Sequence, residues 1–288
     1  MKTLVIVVTY NGMQWMERCL GCVRSSVEPA DLFVFDNASS DGTAAYVKEN
    51  FPEAILVEND SNLGFAAGNN AGFRYALEHG YDFVYLLNQD AWFFPDTLGR
   101  LQAISEANPG FGILSPCHMR SDGISYNPGF ERDVLSRRKG EATSNLFEVP
   151  FIMAAHWFVT ADCLRKVGIF ADIFPIYGND NNYCHRALFH GYKIGVVDDM
   201  KVVHDKQYRP LGKDYWMYRS FYISCLVQLC DIRHSLFSRV LFVLALSLVK
   251  CVKFRSFKVF AYLGKVFGKD MPQVLRIRKE TVKPAFQL

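Results

Sequence analysis

The first half of the chain repeats one pattern, a short apolar run followed by a polar turn and an amphipathic stretch. The apolar runs lie at residues 4–8, 32–35, 54–57 and 83–87. Helical periodicity follows at 13–27, after the turn at 40–42, and at 68–78. Short apolar runs that alternate with helices are typical of strands buried on both faces. The sequence therefore predicts an α/β fold with a mostly parallel central sheet covered by helices.

Polar residues rich in Asn and Asp directly follow three of these predicted strands, at 9–12, 36–41 and 88–90. In a parallel sheet the loops after the strands meet at the carboxyl edge, where ligands bind. We therefore expect the functional site at that edge. Each loop taken alone is also what an ordinary turn requires, because Asn and Asp form turns readily.

The second half is less regular. Residues 118–145 show little periodicity and include a basic cluster at 137–139, which predicts either a mobile lid or a solvated insertion. Helices are expected at 161–167 and from 178–182 to about 190, and strands at 194–197 and 202–204.

The C-terminal part differs from the body in charge. Residues 1–200 carry 15 Lys or Arg and 24 Asp or Glu, whereas residues 201–288 carry 17 and 5. The tail is also apolar, which favours a membrane surface over nucleic acid. Its most apolar window, 240–249, is far shorter than the ~20 residues that span a bilayer. We predict a domain at 1–212 and a helical extension at 213–288, which either associates with a membrane or packs on the body or in an oligomer.

The cysteines and the N-terminus favour the cytoplasm. The eight cysteines have no framework spacing, and no signal peptide is seen before the first strand. Cys19 and Cys22 form a CxxC inside a helical pattern without a second pair, which we interpret as buried thiols. We expect a cytoplasmic protein, located at the inner face of the cytoplasmic membrane if the C-terminal helices associate with lipid.

Five or six motifs in a fixed order resemble the family 2 glycosyltransferases, of the rhamnosyltransferase-like bacterial type. The motifs are VIVVTYNG at 5–12, DNASSDGT at 36–43, NLGFAAGN at 62–69, LLNQD at 86–90, YGND at 177–180, and a histidine at 204. The resemblance covers about 200 residues. It implies a GT-A-type nucleotide-sugar-binding domain and an inverting transfer from a nucleotide diphosphate-sugar, with dTDP- or UDP-sugars expected, to a glycan or lipid-linked acceptor.

The donor has a flat base, ribose hydroxyls and two phosphates, so its site requires a stacking face, hydrogen-bonding groups and a cation. Tyr10 is suited to stacking. The resemblance implies donor binding by Thr9, Tyr10, Asn11, Asp36, Asn37, Asn62, Gly64, Asn69, Asn88 and Gln89.

The resemblance also implies a metal site for Mn²⁺ or Mg²⁺ at Asp90 and His204. A hard cation prefers oxygen ligands and bridges the two phosphates. The chain departs from the fullest form of the acidic motif, because positions 88 and 89 are Asn and Gln. Metal binding is therefore expected to depend strongly on the donor diphosphate.

Asp180 resembles the family's general base, which an acceptor hydroxyl requires because its own pKa is too high for unaided attack. The same aspartate is also suited to capping a helix. The preceding residue is Asn179 where the family's motif has Glu. Asn179, His156 and Trp157 are predicted to contact the acceptor, although an aromatic residue at position 157 also fits a core.

Three other functions share part of this sequence pattern. A dinucleotide-dependent oxidoreductase requires a GxGxxG turn after the first strand, which residues 9–12 lack. A nucleotidyltransferase requires a basic glycine-rich loop near the N-terminus, and none is present. A catalytically inactive sugar- or nucleotide-binding scaffold of the same fold remains the alternative, because of Asn88 and Asn179.

Overall fold

The structure is a computed structural model that describes residues 1–138, 145–206 and 212–285. The segment 139–144, which includes Lys139 of the predicted basic cluster, lies outside the described residues.

Parallel strands form the N-terminal half of one large sheet, in the order β3-β2-β1-β4. The elements are β1 (Thr3–Thr9), α1 (Met13–Arg24), β2 (Asp31–Asp36), α2 (Thr43–Asn50), β3 (Ile55–Glu58), α3 (Gly64–Glu78) and β4 (Phe83–Asn88). Thr9 pairs with Asp36, and Val8 pairs with Asn88, so three strands end level with one another. The predicted parallel sheet and its polar carboxyl edge are confirmed here.

Antiparallel neighbours make the second half of the sheet mixed. Its elements are β5 (Ala91–Trp92), α4 (Thr97–Ala107), β6 (Phe111–Met119), α5 (Pro128–Asp133), β7 (Leu146–Glu148), β8 (His156–Thr160), α6 (Ala161–Val167), α7 (Asn179–Phe189) and β9 (Lys193–His204). Strand β8 lies antiparallel between β4 and β6, and β9 runs parallel to β6 while pairing antiparallel with β5 and β7.

The segment predicted to be irregular contains a short helix, α5. The Asn127 side chain caps this helix by accepting from the backbone N–H groups of Gly129 and Phe130. Phe130 is fully buried and stacks on His118. The helix is therefore anchored to the sheet rather than solvated, for a reason that periodicity in so short a segment does not reveal.

Four helices follow: α8 (Lys213–Leu229), α9 (Leu236–Phe254), α10 (Lys258–Lys265) and, after a π-helical turn at Val266–Asp270, α11 (Met271–Thr281). They share an apolar core that includes Phe174 of the body. Arg276 pairs with Asp172, and His190 contacts the carbonyl of Thr281. The extension thus packs on the body, and among the described residues no helix meets the length and hydropathy of a membrane span.

Candidate active site

The loop after β1 is held to the loop after β4 by one side chain. Gln89 accepts from the backbone N–H of Tyr10 at 2.8 Å through Oε1 and donates to its carbonyl at 3.3 Å through Nε2. A Cβ on Gly12 would lie 2.5 Å from Gln89 Oε1, so the glycine permits this approach. The Tyr10 ring remains 38% exposed, as a stacking face requires. Gln89 therefore positions the loop that carries Tyr10.

Asp36 orders the loop after β2. Its carboxylate accepts from the hydroxyls of Thr9 and Ser39, both at 2.6 Å, and from the Ser39 backbone N–H at 2.8 Å. Asn11, with φ of 48°, accepts from the backbone N–H of Ser40. A carboxylate has about four acceptor positions. Asp36 is almost fully buried and already uses three of them, so its first effect is to shape the loop.

Asn37 connects that loop to the one before α3. Its side chain accepts from the N–H of Leu63 at 3.0 Å, and the amide of Asn62 closes a turn by accepting from Gly64 N–H. Asn37 and Asn69 are both buried, and Asn69 donates to the carbonyl of Phe65. These two amides position the predicted donor loop, and their burial leaves little surface for a ligand.

Gly64 brings this donor loop against the segment that leads to Asp180. Its φ is 88°, and a Cβ there would lie 2.7 Å from the carbonyl oxygen of Pro175, which accepts from Ala66 N–H. Only glycine adopts this conformation and this close approach without strain. The Asn62–Gly64 turn is therefore in direct contact with the segment that leads to Asp180.

Asp90 and His204 meet where β5 pairs with β9. Asp90 Oδ1 lies 3.4 Å from His204 Nε2, and Ala91 is the register partner of His204. Two ligands at right angles on one ion, each about 2.1 Å from it, lie roughly 3 Å apart. The pair therefore fits two adjacent positions on one cation. Within the described residues no group of three His, Cys, Asp or Glu side chains is able to hold a metal by itself, so the remaining ligands would have to come from the diphosphate or water.

Several buried polar atoms around this pair have no partner among the described residues. They are Oδ1 of Asn88 and Nδ1 of both His204 and His118. Burial and the neighbouring histidines His156 and His204 lower the pKa of His118, which keeps it neutral at physiological pH. Buried polar atoms normally have partners, so this part of the site has unused hydrogen-bonding capacity.

His156 does not face the acceptor, and that prediction was wrong. The ring is fully buried, with Nδ1 2.8 Å from the Tyr85 hydroxyl and Nε2 2.9 Å from the carbonyl of Val203. Burial lowers its pKa to about 3, so the neutral ring donates from Nε2 to Val203 and accepts from Tyr85. His156 therefore fastens the end of β9 next to His204.

Trp157 is not an acceptor contact either. Because side chains alternate along β8, its indole points into the core on the opposite side of the sheet from His156. There it is fully buried against Phe170 and Tyr183. Asn179 is also buried, and its Oδ1 accepts from the Asp180 N–H. Asn179 therefore positions Asp180 and does not contact the acceptor.

Asp180 lies in the first turn of α7 and is half-buried. Burial raises the pKa of its carboxyl, against the lowering effect of hydrogen bonds from Asn181 and of the charge on Lys206. The residue before Asn179 is Gly178, whose φ is 86°. A Cβ on Gly178 would lie 2.8 Å from Ile223 and 3.0 Å from Val227, both on α8. The C-terminal extension thus packs directly behind the loop that carries Asp180.

An open cleft of about 410 Å³ lies between Asp180 and His204. Asp180 and His204 both line it, together with Arg120, Arg132 and Lys206 and the apolar side chains of Phe151 and Met153. These five residues and Tyr85 were not predicted from the sequence. They lie in strands, turns or the irregular segment, where nothing in the local pattern distinguishes a cleft residue from a surface one.

The CxxC pair is part of the core. Cys19 and Cys22 lie buried in α1, and burial raises the pKa of Cys22 to about 12. All eight cysteines are free. The interpretation as buried thiols is confirmed.

Comparison with known proteins identifies the family. Residues 4–162 match the model of glycosyl transferase family 2, more than half of the chain. The undecaprenyl-phosphate mannosyltransferase of Micrococcus luteus is 33% identical over 104 residues, which are 35% of this chain and 43% of that protein. The N-acetylglucosaminyl-diphospho-decaprenol L-rhamnosyltransferase of Mycobacterium tuberculosis is 27% identical over 42% of this chain and 43% of its own length. The matches span less than half the length of both relatives.

A solved structure shares the fold over nearly the whole chain. The mannosyltransferase PcManGT of Pyrobaculum calidifontis, in complex with GDP-Man and Mn²⁺, has a TM-score of 0.63 at 21% identity and covers 96% of this chain and 78% of its own. The GT-A fold predicted from the sequence is confirmed, and the relatives are named as glycosyltransferases rather than as inactive scaffolds. The chain belongs to glycosyl transferase family 2.

Proposed function

We propose that the chain transfers a hexosyl or deoxyhexosyl residue from a nucleotide diphosphate-sugar to a hydroxyl group of a glycan or lipid-linked acceptor, with inversion. The observation that carries the proposal is the shared cleft, in which a carboxyl of raised pKa, Asp180, faces the same space as His204 of the Asp90 pair.

The donor would bind along the N-terminal half of the carboxyl edge. Tyr10 offers an exposed ring for the base, while Asp36 and Asn37 hold the loops that enclose it. Asp90 and His204 would bind Mn²⁺ or Mg²⁺ together with the diphosphate, and such an ion stabilises the charge of the leaving group. Asn88 Oδ1 is buried and has no partner within the part of the chain that the structure describes, so it is available for a hydrogen bond from the sugar nucleotide or from water.

Asp180 would take the proton of the acceptor hydroxyl as the new bond to the anomeric carbon forms and the bond to the diphosphate breaks. One base on the face opposite the leaving group gives a single displacement and hence an inverted product. The raised pKa makes the carboxylate a stronger base than an ordinary aspartate.

The cleft also fits an acceptor that carries a phosphate near the reacting sugar. Arg120 and Lys206 line it as cations, and Phe151 and Met153 supply apolar surface. Two relatives carry polyprenyl phosphates in their names, which supports a lipid-linked acceptor. The free cysteines agree with a reducing compartment, which supports the proposal that the enzyme acts in the cytoplasm, at the inner face of the membrane.

A thermal-shift screen tests the donor first. dTDP-, UDP- and GDP-sugars are compared with Mn²⁺ present and absent, and a dTDP- or UDP-sugar is expected to raise the melting temperature only when Mn²⁺ is present. The donor found is then incubated with synthetic lipid-linked acceptors, and the product is analysed by NMR. An inverted anomeric centre agrees with the proposal. A retained configuration, or failure of every nucleotide sugar to bind, contradicts it.

A further inference from the structure

Helix α9 exposes an apolar face that the rest of the described chain does not cover. The helix buries only Val243 and Ser247. On its outer side Phe237, Leu241, Leu244, Leu248 and Val252 are between 41% and 79% exposed. Their spacing of three or four residues places them on one ridge of the helix. Phe257, at the turn into α10, is 83% exposed. Large apolar side chains grouped in this way mark an interaction surface.

The charge around this face has one sign. Residues 232–269 contain eight Lys or Arg and no Asp or Glu. At about 100° per residue, Arg239 and Lys250 lie on the far side of the helix from the ridge. Lys253, Arg255 and Lys258 are exposed around Val252 and Phe257, at the C-terminal end of the ridge. The surface therefore combines apolar side chains with exposed cations at one end.

We infer that the α9 face adsorbs to an anionic lipid bilayer, with the ridge in the interface and Lys253, Arg255 and Lys258 on lipid phosphates. A helix that has an apolar face and basic flanks lies in the plane of such an interface. A second copy of the chain fits less well. A symmetric dimer brings the same patch from each subunit together, and this patch has no acidic residue to meet its own cations.

The face is firmly attached to the catalytic body. Arg239 of α9 donates to the side chain of Gln228 on α8 at 2.8 Å. Helix α8 in turn contacts Gly178 through Ile223 and Val227. Adsorption would therefore hold the Asp180 loop at a fixed height above the bilayer. That consequence rests on the proposed function, whereas adsorption itself does not.

Vesicle co-sedimentation of the full chain tests adsorption without measuring activity. The vesicles are phosphatidylcholine alone or an equal mixture with phosphatidylglycerol. We expect binding to the anionic vesicles and much weaker binding to the neutral ones. The double variant Leu248→Glu with Val252→Glu should lose binding, while Val27→Glu, at a site 78% exposed near the end of α1, should bind as the wild type does. Lys253→Gln and Lys258→Gln should each weaken binding about fivefold, from about 1 kcal/mol per basic residue, and Lys48→Gln on α2 should not.

Circular dichroism melts check that the variants are folded, and sedimentation equilibrium gives their mass. Equal binding by the wild type and the Leu248→Glu, Val252→Glu variant overturns the inference, as does failure of the wild type to bind anionic vesicles. A wild-type dimer that this variant converts to a monomer, with no vesicle binding, also overturns it and assigns the face to a second copy.

Discussion

The two halves of the carboxyl edge differ in how fully their polar groups are paired. In the donor half, the side chains of Asp36, Asn37 and Gln89 each take part in two or more hydrogen bonds, within their own loop or to a neighbouring segment. In the reacting half, Asn88 and His204 have buried atoms without a hydrogen-bond partner among the described residues, and Asp180 has a raised pKa.

The difference indicates that the two halves of the edge have separate functions. A site whose loops are fixed before binding loses less entropy when the ligand arrives. A carboxylate kept partly desolvated is less stable as a charge and therefore a better proton acceptor. We conclude that the first half is built for recognition and the second for chemistry.

The largest effect is expected from Asp180→Asn. The amide keeps the shape and still accepts from Asn181, but it cannot take the acceptor proton. Turnover at saturating substrates should fall by ~10²–10⁴. The kcat of the wild type should also decline on acidification at a higher pH than for an ordinary aspartate, because protonation of the raised-pKa base removes activity. Near-normal turnover in the variant would place the base elsewhere.

The second-largest effect is expected from Asp90→Asn, which should weaken metal binding. The amide oxygen is a weaker ligand, and at least a roughly tenfold higher Mn²⁺ concentration should be needed for half-maximal activity, because even outer-shell changes at metal sites cost 10–100-fold. Asp199→Asn is the control. It also removes one negative charge, but from the surface of β9, where Asp199 pairs with Arg100. Full activity of the wild type in excess EDTA would refute the metal assignment.

Gly178→Ala tests whether the extension supports the reacting half. Gly191 has nearly the same φ, 88° against 86°, but a Cβ there would meet nothing within 4 Å. The left-handed backbone should lower the free energy of unfolding of both alanine variants by roughly 1–2 kcal/mol. Contact with Ile223 and Val227 of α8 and with Phe174 should cost Gly178→Ala about 1–3 kcal/mol more, with a loss of turnover that Gly191→Ala lacks. Equal denaturation midpoints and equal activity would show that α8 is not needed by the loop.

The smallest effect concerns stability. Burial penalises the charged form of Asp180 and raises its folded-state pKa, so the ionised carboxyl destabilises the fold at neutral pH. Asp180→Asn should therefore melt at a higher temperature than the wild type at pH 7. The difference should disappear below the unfolded-state pKa, where the carboxyl is neutral in both states. A variant that is less stable at neutral pH would contradict this explanation.

The donor half was predictable from the sequence because its signals are local. Apolar runs that end in Asn- and Asp-rich turns locate β1, β2 and β4 and the loops that hold Tyr10 and Asp36. Helix α4 and strand β6 were missed, and β8 was not expected to run antiparallel, since pairing direction depends on distant contacts. The same limit explains why the acceptor contacts predicted for Trp157 and His156 were wrong. The burial of these two side chains is decided by neighbours such as Tyr183 and Tyr85, which are far away in the sequence.

The separation of recognition from chemistry is tested most directly by calorimetric titration of the donor, in the presence of Mn²⁺, into wild type, Asp180→Asn and Gln89→Ala, with turnover measured on the same samples. The predicted result is an unchanged donor Kd for Asp180→Asn together with lost turnover, and a weakened Kd for Gln89→Ala, because Gln89 holds the loop of Tyr10. If Asp180→Asn loses donor affinity as strongly as Gln89→Ala does, the two halves of the edge are not separate in function.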